Sequence, residues 1–254
     1  MLIDSHCHLH DREFFTAEQA EEMLKRARYN RVEKVIVIGT DPTDSLAAKD
    51  FASTHDNVFW TFGIHPSEWQ KNTQNLELPK DSKLVGIGEI GLDYHYGEAD
   101  RKEQIKLFNQ MLQLASDQNL PVSFHIREAF DDFFGIIVNF PKITGVVHSF
   151  SDSKKNLKKI LETTNYYIGV NGLATYSTLP TPPIERILLE TDAPFLTPAP
   201  FRGIINESGY VKNIADWLSI KLGIPAEKVA DITTENATRL FNLHNSIVCQ
   251  KGNV

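Results

Sequence analysis

The sequence predicts an α/β fold: a (β/α)8 TIM barrel of parallel strands, in a single domain over residues 1–254. Three observations carry this. Short apolar runs alternate with amphipathic stretches from end to end, which implies parallel strands joined by crossovers. There are eight such runs, and 254 residues is an ordinary length for a closed barrel. Six of the eight runs end in polar residues of the kinds that carry chemistry. An open doubly wound sheet also satisfies the alternation, but the count of eight favours closure.

In order, the expected strands are Leu2–His6, Lys34–Gly39, Val58–Gly63, Lys83–Glu89, Leu120–His125, Ile143–His148, Tyr166–Val170 and Arg186–Asp192. Each is a short apolar run. Helical patterning lies at Ala17–Asn30, Asp44–Thr54, Asp100–Gln118, Ala129–Asn139 and Lys154–Thr163. After the last strand it recurs at Tyr210–Leu222 and Ala226–Phe241. The segment Leu173–Pro183 has Pro180, Pro182 and Pro183 and little helical period, so the seventh crossover is expected to be abbreviated or irregular.

The formal net charge of -7 gives no electrostatic footprint for broad nucleic-acid affinity. It does not exclude a phosphate substrate, because bound divalent cations can reverse the local field. Cys7 and Cys249 read as free thiols. Met1-Leu2-Ile3-Asp4 carries charge at once, with no signal-peptide core, and no apolar run reaches the ~20 residues that span a bilayer. A cytoplasmic protein with no membrane association and no obligate protein partner is expected.

The strand ends carry the functional argument. Side chains two apart on a strand share a side, so His6 and His8 of Asp4-Ser5-His6-Cys7-His8 can both face the barrel axis. Alone the pair is a weak signal. Glu89, His125, His148 and Asp192 at the ends of other strands change its weight, since barrel active sites sit on the C-terminal face. Imidazole and carboxylate ligands suit zinc or a transition metal, and six potential ligands suit two metals better than one. The same parity places Asp4 behind His6 and His8, and Glu190 behind Asp192, as carboxylates that could orient a bound imidazole or serve as buried ion pairs or strand caps. His65, before Pro66, is a substrate-facing candidate or a turn residue. Arg202, in a proline-stiffened loop, and Arg127 could clamp a phosphate or pair with an acid. His95 and His10 are weaker candidates, and His55 and His244 read as structural or solvated.

The segments Asp4-Ser5-His6-Cys7-His8-Leu9, Gly63-Ile64-His65-Pro66, Gly86-Ile87-Gly88-Glu89-Ile90-Gly91-Leu92-Asp93-Tyr94, His125-Ile126-Arg127, His148-Ser149-Phe150 and Leu188-Leu189-Glu190-Thr191-Asp192-Ala193-Pro194 resemble the TatD family of metal-dependent deoxyribonucleases. Order and spacing agree over nearly the whole chain, through Glu235-Asn236-Ala237 and Leu240-Phe241. The resemblance implies an amidohydrolase-superfamily barrel with two divalent ions, magnesium, manganese or zinc. His6, His8 and Asp192 would hold one ion, His125 and His148 the other, and Glu89 would bridge. It implies hydrolysis of DNA phosphodiesters, including exonuclease action, with His65 and Arg202 close to the substrate phosphate. Asn206-Glu207-Ser208 lacks the proline the family usually has there, so a less rigid substrate loop is expected.

The expected chemistry is attack by a metal-activated water, with Asp192 accepting its proton. A second reading is hydrolysis of an amide, lactone or aminoacyl ester, as in an aminoacyl-tRNA deacylase. Glu89 stands where many such barrels carry a modified lysine, which favours the nuclease branch. A third reading, a metal-binding scaffold without activity, fits poorly with six retained ligands.

Overall fold

A computed structural model describes residues 1–71, 76–95 and 101–243; Cys249 and His244 lie outside them. Eight parallel strands are hydrogen-bonded in chain order: β1 (Leu2–Cys7), β2 (Val32–Ile38), β3 (Val58–Phe62), β4 (Leu84–Asp93), β5 (Val122–Arg127), β6 (Gly145–Val147), β7 (Tyr167–Val170) and β8 (Ile187–Leu189). The expected barrel is present. No regular ladder joins β8 to β1, and the seam closes by other means. The Asp192 N–H donates to the His6 carbonyl and the His8 N–H to the Ala193 carbonyl, both at 2.8 Å. The Ser5 hydroxyl donates to the Leu189 carbonyl at 2.9 Å.

Helices α1 (Ala17–Tyr29), α2 (Pro42–Ser53), α3 (Arg101–Gln118), α4 (Phe130–Ile137) and α5 (Lys154–Thr163) cover the barrel, and α6 (Val211–Leu222) and α7 (Ala226–Phe241) follow β8. Their starts have local causes. Thr16 and Gln19 form a reciprocal capping box at α1. Asp41 caps α2 ahead of Pro42, so that helix begins two residues before the expected Asp44. The seventh crossover is irregular as expected, with only short 3-10 turns at Gly172–Thr175 and Ile184–Arg186.

Two hydrophobic layers result. Ile3, Ile36, Ile38, Val85, Val146 and Leu188 fill the barrel, closed at its N-terminal end by Leu240 and Phe241 of α7. A larger cluster lies between strands and helices. Together they leave the C-terminal rim free to carry polar groups.

Strand β4 is longer than expected. Its pairing with β5 slips between Ile87 and Ile90 and then resumes, with Gly91 opposite His125 and Asp93 opposite Arg127. Glu89 therefore sits at an irregularity within a long strand, not at a strand end. Glycine is required here. Gly91 has φ 156°, and a Cβ on it would lie 1.8 Å from the His125 carbonyl oxygen; one on Gly63 would lie 2.2 Å from the Gly88 carbonyl carbon. Conversely β8 is short, so Glu190, Thr191 and Asp192 follow it in irregular backbone.

Candidate metal centre

The rim brings the six expected metal ligands together, with His65 beside them. Glu89, 4% exposed, is ringed by imidazoles. Its Oε1 lies 2.7 Å from His125 Nδ1, 3.4 Å from His148 Nε2 and 3.9 Å from His65 Nε2, and its Oε2 lies 3.5 Å from His6 Nε2. Asp192 Oδ1 lies 3.7 Å from His6 Nε2 and 3.6 Å from His8 Nε2. The His6 and His148 rings stack with centroids 3.6 Å apart.

Second contacts fix these rings. His8 Nδ1 lies 3.2 Å from the Ile38 carbonyl, to which it can only donate, and its Nε2 is turned to Asp192. His6 Nδ1 faces Ser123 Oγ at 3.3 Å. His148 Nδ1 lies 3.2 Å from Glu190 Oε1, the oxygen that accepts the Ser149 N–H at 2.6 Å. Glu190 therefore stands behind an imidazole. Ser149 and Asp192 have left-handed backbone, φ 47° and 59°, so the chain turns sharply at both of these rim positions.

Electrostatics follow the geometry. Burial would raise the Glu89 carboxyl, but His148, His125 and His6 outweigh it and hold it well below the usual range. Asp192 is lowered against burial by His148 and His8. Burial opposes charge on His125, yet Asp93 and Glu89 hold its proton to about 9; Glu190 and Glu89 do the same for His148, to about 10. His65 is pushed down to about 4 by burial and by His125.

The donor set fits a divalent cation. His6 Nε2 is buried and has no hydrogen-bond partner, a costly arrangement for a polar atom unless it meets a ligand. Three trios bring one ligand atom each within 4.8 Å of one another: His6, His8 and Asp192; His6, Glu89 and His148; and His65, Asp93 and His125.

Other expected residues stand elsewhere. Asp4 does not lie behind an imidazole. It accepts the Thr191 N–H at 2.8 Å and the Thr191 hydroxyl at 2.6 Å. The cause is a register shift between Asp4 and Cys7, which breaks the period of two along β1. Arg202 is outside the pocket at the rim, and its guanidinium lies 4.0 Å from the Tyr176 ring centroid. The loop after it is anchored without a proline. Asn206 Nδ2 donates to the Thr191 and Phe195 carbonyls at 2.8 and 2.6 Å, and Glu207 takes Arg26 through both carboxylate oxygens. The loosening expected at Asn206–Ser208 is therefore absent.

Sequence reasoning missed Asp93, whose Oδ2 lies 2.9 Å from His125 Nε2. The signal was available, since Glu89, Gly91 and Asp93 alternate on one face. It also missed the Asp44 carboxylate, which takes His10 Nε2 at 2.9 Å and the Thr40 N–H and hydroxyl at 2.8 and 2.9 Å.

A family model described as TatD related DNase matches residues 3–242. The chain belongs to that family. It is 34% identical to the uncharacterized metal-dependent hydrolase YabD of Bacillus subtilis, over 96% of this chain and 100% of that one. It is 33% identical to the 3'-5' ssDNA/RNA exonuclease TatD of Erwinia tasmaniensis, over 89% of this chain and 95% of that one. The crystal structure of the TatD homolog YJJV of Escherichia coli superposes with a TM-score of 0.84 at 29% identity, covering 95% of this chain and 98% of that one. The chain is thus a TatD-family metal-dependent hydrolase with a TIM-barrel fold. No helix among the described residues is long and apolar enough to cross a membrane.

Proposed function

We propose that the protein cleaves phosphodiester bonds at nucleic-acid ends, as a 3'-5' exonuclease acting on DNA, with two divalent ions in its rim. The observation that carries this reading is the Glu89 carboxylate, set among His6, His125 and His148 with Asp192 across His6. His6, His8 and Asp192 would hold one ion, His148 and His125 the second, and Glu89 would touch both. Asp93 competes for His125 as the side chains stand. A set this rich in histidine favours zinc or manganese over magnesium, which prefers oxygen ligands.

Bound ions would lower the pKa of water toward 7 and offset charge on the phosphoryl oxygens. The chain's own residues do the rest. Asp192, kept ionised, accepts the proton of the attacking water. Glu190, 3.2 Å behind His148 Nδ1, would orient that ring. The Ser67 N–H donates to His65 Nδ1 at 3.1 Å, so neutral His65 carries its proton on Nε2. That N–H points into the pocket and can donate to a phosphoryl oxygen. Arg202 would reach the substrate only by leaving the Tyr176 ring.

The test is a metal-swap series on end-labelled single- and double-stranded DNA, with an aminoacyl-tRNA ester assayed alongside. Stepwise release of mononucleotides from the 3' end supports the reading. Ester cleavage without DNA cleavage under any ion transfers the function to the deacylase branch. No described lysine or arginine lines the pocket, so neither substrate would be gripped there along its phosphates, and the parallel assay decides between them.

A further inference from the structure

We infer that Phe14 and Phe195 form a stacking platform for the base of the terminal nucleotide, so that the enzyme grips its substrate by a base and not along a phosphate track. The inference rests on the phosphodiesterase reading and assigns it a base-recognition subsite.

Large apolar side chains at a rim are normally covered. Phe14 is 43% exposed and Phe195 48% exposed, and both line the pocket that holds the histidine–carboxylate cluster. Their rings meet edge to face with centroids 5.2 Å apart, and Phe195 lies 6.4 Å from the His8 ring. Phe195 therefore borders a candidate metal ligand, and Phe14 extends the aromatic surface along the same pocket.

The platform is held in place before anything binds. Phe195 follows Asp192 by three residues, and its N–H donates to the Asp192 carbonyl at 2.8 Å. Its carbonyl accepts Asn206 Nδ2 at 2.6 Å. Phe14 sits in a turn closed by the Phe15 N–H on the Asp11 carbonyl at 3.0 Å, with Phe15 itself buried as an anchor. Backbone ordering beneath both rings is already in place, which lowers the cost of an aromatic contact.

Charge points the same way. The pocket includes Asp11, Glu68, Glu89 and Asp192 and no lysine or arginine among its described lining residues. A polyanion held by phosphate contacts needs cations along its path. Among the described lining residues phosphate would be held at the cluster and at His65, and uncharged surface is what the pocket offers for further affinity. Base stacking on aromatic rings supplies that without regard to sequence.

The test is calorimetric titration of the metal-supplemented protein with deoxyadenosine 5'-monophosphate and with deoxyribose 5-phosphate. Rates are measured in parallel on oligonucleotides ending in a normal or an abasic residue. The wild type should prefer the base-bearing ligand by about 10- to 100-fold. Phe195→Leu, which keeps apolar bulk without an aromatic face, and Phe14→Ala should each shrink that ratio, and the double variant should bring it near one. Binding slopes against salt should be shallow, about one charge's worth. Equal binding of both ligands by the wild type, or a ratio unchanged in the double variant, overturns the platform. So does a change in oligomeric state with the ratio intact, which would mark the pair as a contact between copies. A base preference without turnover of any phosphodiester leaves the platform standing and removes the nuclease reading. Turnover without a base preference does the reverse.

Discussion

Gly169→Ala tests whether Glu190 organises the metal centre. A Cβ at position 169 would lie 2.3 Å from Glu190 Oε2, 2.6 Å from Cδ and 2.7 Å from Oε1, all inside contact distance, so the carboxylate must move. Glu190 is fully buried, and Asn171 packs beside it with Nδ2 3.5 Å from Oε1. Moving it breaks the bond from the Ser149 N–H, a charge-assisted contact worth about 1.5–3 kcal/mol. In a chain of this length the loss corresponds to a melting-temperature drop of about 3–12 °C. The second effect is on His148, which loses the carboxylate 3.2 Å behind its Nδ1. Removing such a partner typically costs about 10- to 100-fold in metal affinity. Calorimetric zinc titration of chelator-stripped protein measures that loss, and a thermal melt measures the first. Glu190→Gln, which keeps an acceptor for Ser149, should lose metal affinity with a smaller melting shift. If Gly169→Ala binds zinc and melts as the wild type does, Glu190 has no part in holding His148.

Asp192→Asn should abolish most turnover while leaving metal content largely intact, since asparagine tolerates the left-handed φ of 59° at this position; elemental analysis beside the DNA assay checks both halves. Gly63→Ala should push the Gly88–Glu89 peptide, because its Cβ would fall 2.2–2.5 Å from atoms there. A displacement of Glu89 by about 1 Å predicts a fall of about 100-fold in kcat/KM on a model phosphodiester. Asp44 is held down to about 2 from the ordinary 3.8: burial opposes this, and His10 and Thr40 outweigh it. A lowered acid stabilises the fold above the unfolded value, and that stabilisation is lost as pH falls through the folded one. Asp44→Asn should therefore cost about 1–2 kcal/mol at pH 7, allowing for partial exposure, and the gap to wild type should narrow below about pH 4 and close near pH 2 in urea titrations. A pH-independent gap would contradict this account.

What could be read from the sequence follows from which interactions are local. Strand positions were legible because burial writes itself as apolar runs, and His6, His8, His125 and His148 were legible because they adjoin those runs. Parity picked out Glu190, which stands behind His148 and not, as expected, behind Asp192, and it would have found Asp93. It misplaced Asp4, because a register shift in β1 depends on what pairs across the sheet and leaves no mark in the residues themselves. The Asp44–Thr40–His10 network was hidden for a similar reason. It joins the loop after β1, the end of β2 and the first turn of α2, which meet only once the barrel is wound. Phe14 could not be told from its neighbour Phe15, since only the fold decides which of two adjacent aromatics is buried.

The seam between β8 and β1 explains why the fold and the site stand or fall together. Left-handed backbone at Asp192 costs about 1–3 kcal/mol and needs surroundings that impose it. Here they are the bonds that close the barrel. Asp4 grips Thr191 through N–H and hydroxyl, the Asp192 N–H reaches the His6 carbonyl, and the His8 N–H reaches the Ala193 carbonyl. The same bonds hold Asp192 Oδ1 within 3.7 Å of both His6 and His8. A regular β8–β1 ladder would have kept Asp192 in extended backbone and spaced by strand pleat. Replacing it with a short β8 and a side-chain clamp frees the chain to turn the carboxylate inward. The irregularity at the seam is therefore what brings residues nearly 190 positions apart, His6, His8 and Asp192, to one place on the rim.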